Sequence, residues 1–116
     1  MERDLELIRK MVLELDDSPP GWGPDMKFPG YSEAVIGYHA YLLIDAGLAR
    51  GRDASVLAAE APFGFITHLT QAGHEFAEAV KNEGRWRKAL SIVKDKGESV
   101  SLGSLARLMD DLGKEG

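Results

Sequence analysis

The stretch Ser32–Ala49, SEAVIGYHAYLLIDAGLA, decides how the rest of the chain is read. Ser32 is placed to cap a helix: its hydroxyl can accept a backbone N–H that the first turn leaves without a partner, and Glu33 suits the positive end of the dipole. Val35, Ile36, His39, Leu42, Leu43 and Ala46 follow at helical spacing and predict a broad buried face. Gly47 can end the helix in the left-handed conformation. The solvent-facing positions are then Glu33, Ala34, Gly37, Tyr38, Tyr41 and Asp45. They bring two carboxylates and two tyrosines to the surface, and the helix holds no Lys or Arg.

Upstream, residues 2–15 read as an amphipathic helix. Leu5, Ile8, Val12 and Leu15 form its stripe, Leu7 and Met11 widen it, and Glu6 with Lys10 is an i,i+4 pair in the favourable order. Asp16-Asp17-Ser18-Pro19-Pro20 ends it, because a double proline cannot continue a helix. Residues 16–30 form a connector rich in Pro and Gly, with Trp22 as its expected anchor and Met26-Lys27-Phe28 as a very short strand.

Downstream, Leu48 to about Leu57 and Phe65 to Thr70 predict the two strands of a hairpin, with Pro62 and Gly64 as turn residues. Thr70 is placed to cap a helix whose core side is Phe76, Ala79 and Val80. Asn82-Glu83-Gly84 reads as a break or kink. A basic helix follows from about Arg85 to Lys96, burying Trp86, Leu90 and Val93, and Gly97 stops it. Ser101 can cap a last helix with Leu102, Leu105, Leu108 and Leu112 in a three-four repeat.

The chain of 116 residues suits one small domain. At 44% apolar and 28% charged residues it should fold rather than remain disordered. The absence of cysteine removes disulfides, thiol nucleophiles and thiolate metal sites together. No apolar run approaches a membrane span, and Met1-Glu2-Arg3-Asp4 is unlike a signal peptide. The net charge of -5 requires that a local basic face be found before nucleic acid is invoked.

The order helix, short strand, helix, hairpin, C-terminal helices resembles a winged helix-turn-helix. In many bacterial winged-helix repressors the recognition helix follows a serine, carries a histidine seven positions later and then a core leucine, and leaves through Ala-Gly-Leu into the wing. Ser32, His39, Leu43 and Ala46-Gly47-Leu48 match that pattern. More broadly, ERDLELIRK, PPGW, GYSEAVIGYHAYLLIDAGL, LTQAGHEF and a later tryptophan are similar to a family of small uncharacterised proteins encoded in bacteriophages and prophages. The resemblance implies a bacterial or phage source and a winged-helix-like fold, and the absence of cysteine suits a reducing compartment, so the expected place is the cytoplasm of a bacterial host. The resemblance implies no activity.

The expected architecture is therefore one mostly helical α+β domain, a degenerate winged helix with a β-hairpin wing and added C-terminal helices. Its parts are a first helix at 1–15, a connector at 16–30, a central helix at 32–47, a hairpin at 48–70 and C-terminal helices over 71–112. Two departures from the repressor pattern count against base reading. The connector leaves little room for the helix that should brace the recognition helix. Direct readout also needs donors matched to base edges, most often arginine on guanine, and the central helix offers none.

Candidate sites follow from chemistry. Glu33, Tyr38, Tyr41 and Asp45 are candidates for binding a protein, since interfaces favour tyrosine for its rigid area and polar tip; the alternative is that the tyrosines are ordinary semi-buried residues under the N-terminal helix. Lys81, Arg85, Arg87 and Lys88, with Lys94 and Lys96 further on, stand against Glu83 and Asp95 for a local charge of +4. They form either a phosphate-contacting face, extended by Arg50 and Arg52 on the wing, or a solvated helix face. His74-Glu75-Phe76-Ala77-Glu78 differs from the zinc-protease HExxH motif at its second histidine, and no third ligand accompanies it, so no metal is expected. His74 should bond to the hairpin and His39 should be a core histidine satisfied by a carbonyl. No phosphate loop, nucleophile elbow or isolated carboxylate pair is present, so neither catalysis nor a cofactor is expected.

The expected role is non-catalytic binding, with a host or phage protein complex as partner, inhibiting or modulating host regulation or defence. DNA is the alternative partner. The 102–112 stripe either closes the core or forms a homodimer seam.

Overall fold

The computed structural model describes residues 2–18, 27–55, 61–97 and 100–114. Among these are five helices and one antiparallel hairpin, in the order α1 (Leu5–Asp16), α2 (Glu33–Asp45), β1 (Ala49–Asp53), β2 (Gly64–Leu69), α3 (Gln71–Val80), α4 (Glu83–Lys96) and α5 (Leu102–Lys114). The protein is thus mostly helical α+β. The expected Trp22 anchor, the Pro-Gly run at 19–26 and the strand end at Leu57 lie outside the described residues.

Each helix start is chosen by a short polar side chain. The Asp4 carboxylate accepts from the Glu6 and Leu7 N–H groups, and the Ser32 hydroxyl from Val35 N–H. Thr70 accepts from Gly73 N–H, Asn82 from Arg85 N–H, and Ser101 from Ser104 N–H. Each such cap contributes about 1 kcal/mol. The predicted break is present but short: α3 ends at Val80, Asn82 is extended and caps α4, and the helix begins at Glu83, two residues earlier than expected. Gly47 has the expected positive φ of 77°, and Leu48 N–H returns to the Leu43 carbonyl.

Leu7, Ile8, Met11, Val12 and Leu15 of α1 are buried together with Ile36, Ala40 and Leu43 of α2. Phe76, Ala77 and Val80 of α3, Trp86, Ala89 and Val93 of α4, and Leu102, Leu105, Met109 and Leu112 of α5 complete the core. The stripe of α5 passes through Met109, with Leu108 at its margin, and α5 packs on α3 and α4. Burial of one such large side chain contributes about 1.5–3 kcal/mol.

The hairpin packs on α2, with Leu48, Ala49 and Leu69 in the core. Its register pairs Ala49 with Leu69, Arg50 with His68, Gly51 with Ile66, Arg52 with Phe65 and Asp53 with Gly64. Thr67 is the extra residue of a bulge. The first strand is shorter than predicted, ending at Asp53. The Asp53 carboxylate turns back to accept from Ser55 N–H at 2.9 Å, and Ser55, through its hydroxyl first and its backbone second, holds it below the usual carboxylate value. Phe28 is not in a strand; its carbonyl closes a turn by accepting from Tyr31 N–H.

Candidate functional site

The exposed side of α2 is the first candidate surface. Glu33, Ala34 and Asp45 are exposed, and Tyr38 and Tyr41 are half-buried. At 100° per residue Ala34, Tyr38, Tyr41 and Asp45 fall on one ridge, while Glu33 stands about a quarter-turn aside. Gly37 was expected to face solvent and is buried instead: the Phe63 ring occupies the space a side chain would need. The two tyrosines flank the ridge. Tyr41 borders the hairpin, where Gly64 lies so close that an added Cβ would sit 3.1 Å from the Tyr41 backbone. Tyr38 borders a groove of about 660 Å³ whose apolar floor is Leu5, Leu42 and Val93 and whose rim is Glu2, Arg3 and Lys94.

Behind the ridge, α2 is fastened to α1 by His39. The imidazole is fully buried. Its Nδ1 bonds the Val35 carbonyl at 2.7 Å, and its Nε2 accepts from Asp4 N–H at 2.8 Å. These partners fix the neutral tautomer with the proton on Nδ1. Burial holds the imidazole below its ordinary pKa. His39 is the core histidine expected, and it supplies one bond more than expected. Tyr31 joins the same knot: its hydroxyl donates to the Asp4 carboxylate at 3.0 Å, which raises the phenol pKa, and Lys10 lies over its ring.

Lys81 and Arg87, two of the six basic side chains of the segment 81–96, are engaged by the protein's own carboxylates. Lys81 Nζ lies 3.1 Å from Asp16 and 3.0 Å from Glu78, and both partners raise its pKa. Arg87 reaches Glu83 at 3.2 Å, and Glu83 also holds Arg9 at 2.8 Å; the two guanidinium groups lower its pKa, Arg9 first. The Arg85 guanidinium packs against Gly113, within 3.1 Å of where a Cβ would stand. Lys88 is exposed. Asp16, bonded by His74 and Lys81, is held below its usual pKa, chiefly by His74. His74 thus bonds the end of α1, not the hairpin as predicted. Its HExxH-like partner Glu78 turns to Lys81, and among the described residues no group of three His, Asp or Glu could hold a metal.

Two features escaped the sequence. Trp86 is 1% exposed; its indole N–H donates to Glu6 at 2.9 Å while Arg9 lies over its ring at 5.7 Å. Glu6 thus serves a residue eighty positions away, and not only the local helix face. The second is the pair of rings on the hairpin: Phe65 and His68 are exposed beside Arg50 and Arg52, the wing arginines that the sequence did single out. Among the described residues, Phe65 is the large hydrophobic side chain left in solvent, at 55%.

The arrangement belongs to small mostly helical α+β proteins with one hairpin and two exposed faces of opposite character. The chain belongs to the family described as "Hypothetical protein (DUF2513)", whose model matches residues 2–99. A relative from Haemophilus influenzae, described as "Uncharacterized protein", is 30% identical over 111 residues, covering 93% of this chain and 92% of its own. No solved structure matches the chain. Among the described residues, no helix is long and apolar enough to cross a membrane.

Proposed function

We propose that the protein is a non-catalytic binding module of phage or prophage type on a degenerate winged-helix scaffold. Its α2 ridge docks on a host or phage protein and inhibits or modulates a regulatory or defence complex. One observation carries this reading. The side of α2 turned from the core stays open, bearing Tyr38, Tyr41 and Asp45 beside an apolar-floored groove, while the other side is locked to α1 and the hairpin. A half-buried tyrosine beside an apolar floor, as Tyr38 is, can anchor a partner at low entropic cost. The carboxylates of Glu33 and Asp45 favour a partner with a basic surface. The capped start at Ser32 and the Gly47 exit into a hairpin support the winged-helix ancestry.

The test is affinity capture from nuclease-treated extract of the bacterial host, comparing wild type with a Tyr38→Ala, Asp45→Arg variant. A protein enriched by wild type and lost with the variant supports the reading. Identical eluates overturn it. The competing reading, a regulator that holds duplex DNA with 81–96 and the wing, draws on the exposed Arg50 and Arg52. It predicts a salt-sensitive shift of random duplex that disappears on reversing Arg85, Arg87 and Lys88.

A further inference from the structure

The hairpin carries a second surface, independent of the α2 ridge. Directly paired residues of an antiparallel ladder share one face. Ala49 and Leu69 point to the core, so the Arg50–His68 pair points outward. Arg52 and Phe65 are exposed and again directly paired. Phe65 and His68 are three residues apart and would alternate to opposite faces of a regular strand. The bulge at Thr67 adds the residue that returns both to the outer face. The result is two successive cross-strand pairs of an arginine with a ring.

The surrounding structure holds this arrangement. The Thr67 hydroxyl donates to the Arg50 carbonyl at 3.1 Å and lies 3.0 Å from His68 Nδ1. Phe63, seated on Gly37, meets Phe65 edge-on at 5.2 Å. No carboxylate pairs with Arg50 or Arg52 among the described residues, in contrast to Lys81 and Arg87. Residues two apart on a strand are separated by about 7 Å. That is of the order of the distance between successive phosphates of an extended single strand. Each phosphate on an arginine then places its base within reach of the ring across the ladder.

We propose that the outer face of the hairpin binds single-stranded nucleic acid, Arg50 and Arg52 holding successive phosphates while the His68 and Phe65 rings stack on the neighbouring bases. Rings and cations together suit single strands, because every base offers a π-face once it is unstacked from a duplex. A base already stacked within a duplex leaves Phe65 nothing to stack on. A plain acidic peptide would satisfy the arginines and leave the paired rings without a reason.

The test is fluorescence anisotropy of a labelled twelve-residue oligo-dT, a matching oligo-rU and the dT·dA duplex, at low and moderate salt. Single strands of either sugar should bind and the duplex should bind at least tenfold more weakly. Phe65→Ala, at an exposed site that leaves the fold intact, should weaken single-strand binding about fivefold or more, and Phe65→Trp should restore it. Arg50→Gln with Arg52→Gln should lower the slope of log affinity against log salt by about 1.4, two phosphate contacts' worth for a single strand. The Tyr38→Ala, Asp45→Arg variant should bind as wild type does, so the α2 reading and this one fail separately. Absence of single-strand binding at low salt, equal binding of duplex, indifference to Phe65→Ala, or equal displacement by polyglutamate overturns the proposal.

Discussion

The α1–α4 junction and the hairpin hold the same kinds of residue and use them in opposite ways. At the junction, Arg9 lies over Trp86 and pairs with Glu83, Trp86 bonds Glu6, and Lys81 pairs with Asp16. On the hairpin, Arg50, Arg52 and Phe65 face water. In the linear sequence both regions are basic segments with an aromatic residue. The difference lies in which carboxylates the fold brings to them. A local positive charge therefore says little until the acidic residues of distant elements are placed beside it.

The sharpest contrast lies in the two aromatics. Trp86→Ala should destabilise the protein by about 3–5 kcal/mol, because it empties a fully packed site. Phe65→Ala should change stability by less than about 0.5 kcal/mol. Urea unfolding of the two variants checks this, and similar losses would erase the distinction between the regions.

Next in size is the acid response of the closed side. Folded His39 is neutral and held below its ordinary pKa by burial, whereas unfolded histidine takes a proton near pH 6.5. The stability contribution of neutral His39 is thus present above about pH 6.5. It falls as pH drops below that value, by at most about 1.4 kcal/mol per unit. Protonated Nε2 would also become a donor facing the Asp4 N–H. Urea midpoints from pH 7.5 to 5 should decline in wild type and less steeply in His39→Gln.

Asp16→Asn should cost about 1 kcal/mol at neutral pH, since it weakens the bonds to both His74 and Lys81. Folding lowers the Asp16 pKa, so its contribution is present above about pH 3.8 and is lost as pH falls through the folded value. The asparagine variant should lack that acid-side loss. Smallest of all, Arg87→Ala should change stability by less than about 0.5 kcal/mol, because its pair with Glu83 is exposed. A larger loss in the same unfolding series would mean that α4's surface charges matter more than exposed pairs do.

The helices were legible where a cap and a stop stood in sequence. Ser32, Thr70 and Ser101 cap as read, and Gly47 ends α2 as read, because those interactions span a few residues. The break at Asn82 is present between α3 and α4, but it is shorter than Asn82-Glu83-Gly84 suggests, because a glycine in the first turn of α4 looks like a loop. Tyr38, Tyr41 and Asp45 share a ridge through helical spacing alone, and Glu33 drops aside for the same reason. The Glu6–Trp86 bond and the Asp16–His74–Lys81 cluster join residues far apart in sequence, which periodicity cannot pair. Gly37 looked exposed because nothing local predicts that Phe63 folds back over it. The outer hairpin face was hidden by the Thr67 bulge, since strict alternation would have set Phe65 and His68 on opposite sides.

Binding of a protein by the open ridge of α2 is a proposal that one experiment can decide. The most direct measurement is quantitative mass spectrometry of proteins captured from nuclease-treated host extract by wild type and by the Tyr38→Ala, Asp45→Arg variant, with equal folding of the two confirmed by their unfolding curves. The account predicts a partner held by wild type and depleted at least tenfold with the variant. A partner retained equally by both proteins would contradict it.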